Sequence, residues 1–422
     1  MSNRNETKMV VDKKNYIDPD WLLEIRQEAK ALFKDIGFPN SRHETWKYLN
    51  LDQDLDLERH IKKTPIRRTE RDECVSVLFK NNTPECESIL ANKNDLIITN
   101  FRSAYAEHKE LIKSSLSKGL LQNPFSYLNT AQFDDGALIL VKEGCKVEGP
   151  IIIDLQTHVE EERLKGIHTR TLIVLEKGAS ATVFVQHHSF LDKPEFVNDY
   201  FDIVLKEEAT LEFILTQEGD QPYRFETIKA SIDTKANLNY VSFVNDCLVT
   251  RHDMGVDFIG EKAVVNLAGI ALLSSESQYF NHLYIDHKVG NCDCSQVFKT
   301  ILRDKSLSEF SGLVVVAKHA HGTNSTQSNP NLLLSDNARA LSRPQLRIDA
   351  DDVECAHGAT MGQLNPEEVF YLESRGLNKS AARALLTFGF AEDIIQRIKQ
   401  PLIQHECDLI LREGLSSYDK HR

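Results

Sequence analysis

From Ala137 onward the chain is written in short runs of Val, Ile, Leu and Phe, each broken by charged or Gly-containing residues. That texture predicts strands joined by tight turns. Six segments share one outline, an apolar strand, a polar turn, a small residue and an alternating strand: LILVKEGCKVEGPIII, LIVLEKGASATVFVQ, DIVLKEEATLEFIL, KASIDTKANLNYVSF, VDFIGEKAVVNLAGIAL and YIDHKVGNCDCSQVF. Aligning the residue that follows each turn gives Cys145, Ala179, Ala209, Ala236, Ala263 and Asn291, at intervals of 34, 30, 27, 27 and 28. A near-constant repeat of two strands with no helix between them suits a solenoid, in which each coil buries its inner face against its neighbours. An antiparallel sandwich of hairpins is the competing arrangement. The steady interval favours the parallel β-helix.

On either side of this region the apolar spacing becomes helical. Asp18 and Pro19 form a cap and a first-turn proline ahead of Trp21, Leu22, Ile25, Ala29, Leu32, Phe33 and Ile36, and Gly37 and Pro39 end the run. Tyr105 to Leu121 is again helix-like. Near the other end, Asn365-Pro366-Glu367-Glu368 opens a helix that stops at Gly376, with two or three more over Ala381 to Phe388, Ala391 to Ile398 and Leu402 to Leu411, separated by Gly389 and Pro401. Three regions result: 1–124, mainly helical; 125–364, the β-helix core; and 365–422, helical. The last is expected to cap the solenoid, since an open strand edge invites pairing.

Composition agrees with a folded protein of about three domains' length at roughly 150 residues each. Of 422 residues, 41% are hydrophobic and 27% charged, and 50 basic against 63 acidic residues leave a net charge of −13. That balance argues against a chain built to grip nucleic acid. The basic stretch from Arg59 to Arg71 reads as a solvated linker or a partner-facing surface. Eight cysteines are too sparse for a disulfide scaffold, and the first twenty residues hold no apolar core of a signal peptide, so a reducing cytoplasm is expected. The longest apolar stretch, Val264 to Leu273, falls well short of the roughly 18 residues that span a bilayer, so no membrane is expected.

Familiar catalytic motifs are missing: no GxxxxGK[ST], no GxGxxG after a strand, no HExxH, no GxSxG and no CxxC. The chain is not expected to bind a nucleotide. Soft ligands cluster late instead. Cys355 and His357 in DDVECAHGAT are two apart, which on a strand places both on one face, within reach of one metal ion. A buried thiol beside a hydrogen-bonded histidine fits the same pair. Cys292 and Cys294 in GNCDCSQ have the same spacing, as do His319 and His321 in AKHAHGT if the strand extends that far. Each of these pairs could equally be ordinary core or surface residues.

The block LLLSDNARALSRPQLRIDADDVECAHGATMGQLNPEEVFYLESRGL, from Leu332 to Leu377, resembles the signature of the SufB/SufD family of iron–sulphur cluster assembly proteins. The resemblance continues through ALLTFGFAEDII and NPFSYLNTAQFDDGALILVKEGCKVEGPIII and, more loosely, HETWKYLNL. HGAT, where SufB-type members carry a HEAT-like sequence, and the shorter chain point to the SufD branch. This likeness implies a right-handed parallel β-helix between helical ends, and a scaffold subunit rather than an enzyme. It implies pairing with a SufB-like paralogue through the β-helix, and binding of a SufC-like ATPase through the carboxy-terminal helices. A homodimer is one option for the chain alone. It places His357, with Cys355 beside it, at the shared interface where a transient iron–sulphur cluster or iron is handled. The family pattern assigns no role to Cys292, Cys294, His319 or His321. Two other classes stand as alternatives: a stand-alone zinc protein using Cys355, His357, His319 and His321, and a β-helix enzyme acting on polysaccharide.

Overall fold

A computed structural model describes residues 17–38, 44–49, 75–87, 95–117, 123–158, 166–190, 196–219 and 223–417. The basic stretch 59–71 lies outside the described residues. The strands at the start are β1 (Val75–Lys80), β2 (Thr83–Glu87), β3 (Leu96–Asn100), β4 (Gly136–Val141), β5 (Ile151–Thr157) and β6 (Ile167–Leu175). Next come β7 (Ser180–Ser189), β8 (Phe196–Leu205), β9 (Thr210–Glu218), β10 (Tyr223–Ile232), β11 (Asn237–Asn245), β12 (Val249–Phe258) and β13 (Val264–Leu273). The series ends with β14 (Gln278–His287), β15 (Asp293–Leu302), β16 (Leu307–Val316), β17 (Thr323–Leu333), β18 (Arg339–Ile348) and β19 (Val353–Gly362).

From β4 onward, successive strands alternate between two sheets, and every pairing along each sheet is parallel. The protein is therefore mainly β, a parallel β-solenoid with helices before and after it, and the hairpin sandwich is excluded. Register partners down one column, Ser180, Thr210, Asn237, Val264, Asp293, Asn324 and Glu354, recur every 27 to 31 residues.

Each coil turns on a left-handed residue followed by a small buried one. Gly178, Glu208, Lys235, Lys262 and Asn291 have φ of 65°, 60°, 55°, 60° and 56°. Ala179, Ala209, Ala236, Ala263 and Cys292 follow them, all fully buried. The sixth copy of the repeat is thus Cys292, not Asn291, which is itself the turn residue. Turns stack through backbone bonds such as Glu208 N–H to Thr234 O at 2.9 Å and Asn291 N–H to His321 O at 2.8 Å. This close approach explains Gly290, where a Cβ would lie 2.2 Å from the His321 carbonyl oxygen.

Six helices are described: α1 (Asp20–Ile36), α2 (Phe101–Ser117), α3 (Pro124–Gln132), α4 (Pro366–Ser374), α5 (Lys379–Ile395) and α6 (Pro401–Ser417). Asp18 does not cap α1; its carboxylate pairs with Arg26 at 2.9 Å. The stretch 75–100, grouped by sequence with the helical first region, forms three strands. β1 continues one sheet in parallel to β5, while β2 and β3 add antiparallel edges. Gly389 does not break a helix: α5 runs through it, because Ala391, Ile394 and Ile395 continue the buried face. The cost of one helical glycine, about 1 kcal/mol, is offset by that burial.

The carboxy-terminal helices do not cap the solenoid. Ile394, Ile395, Ile403, Ile410 and Leu411 pack on the outer face of the ten-stranded sheet, against Phe184, Ile214, Val241 and Ile270. Strands apolar on both faces make this site, since their outward residues need a cover. Leu22, Ile25, Ile112 and Leu116 of α1 and α2 likewise cover the other sheet through Leu138, Leu140 and Leu172. As a result β18 and β19 remain edge strands at one end.

Candidate functional site at the open end

Side chains alternate across each strand, so inward residues stack in columns from coil to coil. One column reads Ala181, Leu211, Leu238, Val265, Cys294, Ser325 and Cys355. The neighbouring column reads Val183, Phe213, Tyr240, Leu267, Gln296, Gln327 and His357. Both columns are largely apolar for four coils and polar for three. In the last complete coil the inward row is Thr323, Ser325, Gln327, Asn329 and Asn331, all buried. Much of the row is hydrogen-bonded: Gln327 Nε2 donates to Gln296 Oε1 at 3.0 Å, Asn329 Nδ2 to the Phe298 carbonyl at 2.8 Å, and Asn331 Nδ2 to Asn329 Oδ1 at 2.9 Å.

β19 lies over this polar row and is the edge strand of the sheet among the described residues. His357 is therefore exposed, while Cys355 remains partly buried against the core. The two share one face of the strand, as their spacing requires. Burial pushes the Cys355 thiol up, a backbone hydrogen bond from Ser325 opposing it. The thiol is thus held mainly protonated until a metal or another positive group draws it toward thiolate.

The other sequence candidates fall elsewhere. Cys292 and Cys294 are core residues. Cys292 Sγ lies 3.4 Å from the Gly260 carbonyl and 3.3 Å from that of Gly290, and desolvation pushes Cys294 up to about 12. His319 and His321 are both exposed, in the turn between β16 and β17, with buried Ala320 between them. The strand does not reach them, so the shared-face geometry is not met. Among the described residues, none of these six side chains belongs to a group of three His, Cys, Asp or Glu ligands within reach of one ion. His187, Asp199 and Glu226, deep in the solenoid, do form such a group. Asp199 and Glu226 are register partners one coil apart, and His187 faces them from the other sheet, so no contiguous sequence motif marks the group.

The two edge strands differ chemically. β18 carries Arg339, Arg343 and Arg347 along one face and Pro344 in its middle, features that discourage strand addition. β19 carries no proline and ends in HGATMG, with open space beside Gly358 and Gly362.

Fold and site together define a class: a parallel β-solenoid with helices packed on its flanks and a histidine and a thiol on its open terminal strand. Comparison with known proteins places it more narrowly. Residues 157–390 match the family model for the SufBD core domain of SUF-system iron–sulphur cluster assembly, and residues 6–153 match the SufBD N-terminal region. The chain belongs to the SufBD family of iron–sulphur cluster assembly proteins. It is 27% identical over 371 residues to the iron–sulphur cluster assembly protein SufD of Escherichia coli, covering 86% of each chain. It is 22% identical over 438 residues to the SufD of Bacillus subtilis, covering 93% of this chain and 95% of that one. A SufBD-family protein of Synechocystis is 28% identical over 410 residues. The chain is a SufD-like iron–sulphur cluster assembly protein.

Proposed function

We propose that this chain is the SufD-type scaffold subunit of an iron–sulphur assembly complex, itself without catalytic activity. Its open end, β18 and β19, docks against a SufB-like paralogue, and His357 with Cys355 contributes ligands to a nascent cluster shared across that interface. The cluster is cargo, built from delivered sulphur and iron, and leaves for an acceptor. A SufC-like ATPase binds the carboxy-terminal helices and supplies the conformational work, and the complex operates in the cytoplasm. Alone, the same end offers a surface for a homodimer.

The observation that carries this reading is the incompleteness of the end. An exposed imidazole and a partly buried thiol stand on an edge strand, and among the described residues no third His, Cys, Asp or Glu ligand reaches them. A thiolate and an imidazole are half of a common four-ligand set, so the remainder must come from elsewhere. That argues equally against a stand-alone zinc site built with His319 and His321. No helix among the described residues is long and apolar enough to cross a membrane.

The test is to co-express the chain with SufB-like and SufC-like proteins and isolate the complex anaerobically. Reconstitution with iron and sulphide should give cluster absorbance in the wild type. His357→Ala should leave the complex intact by size-exclusion chromatography while cluster formation falls about tenfold or more. Full cluster formation by that variant would remove His357 from the site.

A further inference from the structure

Inside the solenoid, far along the chain from β19, four ionisable side chains converge. His187 on β7 enters from one sheet; Asp199 on β8, Glu226 on β10 and His252 on β12 enter from the other. His187 Nε2 is 3.5 Å from Asp199 Oδ2 and 3.6 Å from Glu226 Oε2, and His252 Nε2 is 3.9 Å from Glu226 Oε1. All four residues are at most 3% exposed. Both oxygens of Glu226 and the Nε2 atoms of both histidines have no hydrogen-bond partner.

We propose that His187, Asp199 and Glu226, with His252 beside them, form a site for a divalent transition-metal ion distinct from the cluster-handling end. The protonation pattern comes first. His187 Nδ1 is 3.1 Å from the Thr216 carbonyl, which can only accept, so the ring proton sits there and Nε2 presents its lone pair to the two carboxylates. A lone pair aimed at two carboxylates needs a positive centre between them.

Distance separates an ion from a proton. Contacts of 3.5 to 3.9 Å are too long for hydrogen bonds between these atoms. Bonds of about 2.1 Å at tetrahedral angles put neighbouring ligand atoms about 3.4 Å apart, close to the spacing seen here. Charge points the same way. Arg224 Nη1 donates to Asp199 Oδ2, and Thr169 Oγ1 donates to Asp199 Oδ1 at 2.7 Å, so Asp199 is a held carboxylate with its own cation. Glu226 has only the field of that same Arg224, which is bonded to Asp199, and neither of its oxygens accepts a hydrogen bond. Two imidazoles and two carboxylates suit Zn²⁺ or Fe²⁺ better than Ca²⁺ or Mg²⁺, which prefer all-oxygen sites. Such an ion would tie one sheet to the other through the hollow of the coil.

The full chain should be unfolded with chelator and refolded anaerobically with or without Zn²⁺, Fe²⁺ or Co²⁺, since the site is closed to solvent in the folded state. The refolded protein should retain about one ion per chain after desalting and melt at a higher temperature than the metal-free form. Glu226→Gln should abolish both effects, whereas Cys355→Ala with His357→Ala should leave both unchanged. Should Glu226→Gln fail to fold, the wild-type Co²⁺ spectrum decides. Absorption without a thiolate charge-transfer band supports the site, and a thiolate band places the ion on cysteine and overturns it. Absence of stoichiometric metal, with unchanged melting, also overturns it and leaves Glu226 as a protonated acid.

Discussion

His357 stands one coil beyond Gln327 in a single inward column, yet Gln327 is buried and bonded while His357 is exposed at the end of the sheet. Position alone separates a structural polar residue from a free one, so the two should respond oppositely to truncation. Gln327→Ala removes a buried partner of Gln296 Oε1 and opens space, at a cost of about 1–3 kcal/mol. His357→Ala should change stability by less than about 0.5 kcal/mol. Urea denaturation of both variants checks the pair. An equally large loss at His357 would mean that its ring supports the fold.

Cys292 should behave as a fifth alanine. Its turn-following position is filled by Ala179, Ala209, Ala236 and Ala263 in the preceding coils, all fully buried. Cys292→Ala should therefore cost less than about 1 kcal/mol, while Cys292→Leu, forced into the same narrow column, should cost about 1–3 kcal/mol. Thermal melts distinguish these outcomes. In the native protein a thiol reagent should modify Cys355 before Cys292 or Cys294, because the latter two are closed off from solvent.

The repeat was legible because its turn residues and small residues recur with the coil, and the shift from Asn291 to Cys292 shows the limit. The slip arose because Cys stands after the turn where the four preceding copies have Ala, and it exchanges an exposed position for a core one. The Cys355–His357 pairing was legible from alternation alone. Its exposure was not, since that depends on whether a further strand lies over β19. The seat of α5 and α6 was written in outward residues such as Phe184 and Ile214, but a strand apolar on both faces does not say which helix covers it. Asp199, Glu226 and His252 recur at the coil interval, but three different polar residues at that spacing form no recognisable motif, and His187 meets them only across the hollow of the coil.

His287 should make the fold acid-sensitive. Its ring is fully buried, stacks on Phe258 at 4.3 Å between centroids, and has no partner for either nitrogen. Burial lowers its pKa from 6.5 to about 4. The folded state thus keeps the ring neutral where the unfolded chain binds a proton. Stability is full above about pH 6.5 and is lost as pH falls through about 4, by roughly 3 kcal/mol. His287→Phe keeps the stacking and removes the titration. Its advantage over wild type in urea midpoint should widen between pH 7 and pH 4.5, and a constant difference would contradict the assignment.

The outer surface of the carboxy-terminal helices should be separable from the fold. Phe370 is 70% exposed, Tyr371 55% and Leu385 49%, and Tyr371, Leu372, Leu385 and Leu386 line a groove between α4 and α5 with Glu367 and Glu368 at its rim. The opposite face of α5 carries Ala391, Ile394 and Ile395, which hold the helix on the sheet. Exposed aromatic and aliphatic side chains rimmed by acids are what a partner surface requires. Phe370→Asp and Leu385→Asp touch only the outer side, so each should shift the melting free energy by less than about 0.5 kcal/mol. On the proposed reading, each should weaken association with the SufC-like ATPase about tenfold or more, as one anchor residue contributes at least about 1.4 kcal/mol. Ile394→Asp should instead unseat the helix and lower stability directly. Titrating the ATPase against all three variants by calorimetry, alongside their melts, checks this; unchanged affinity at both Phe370 and Leu385 would move the ATPase to another surface.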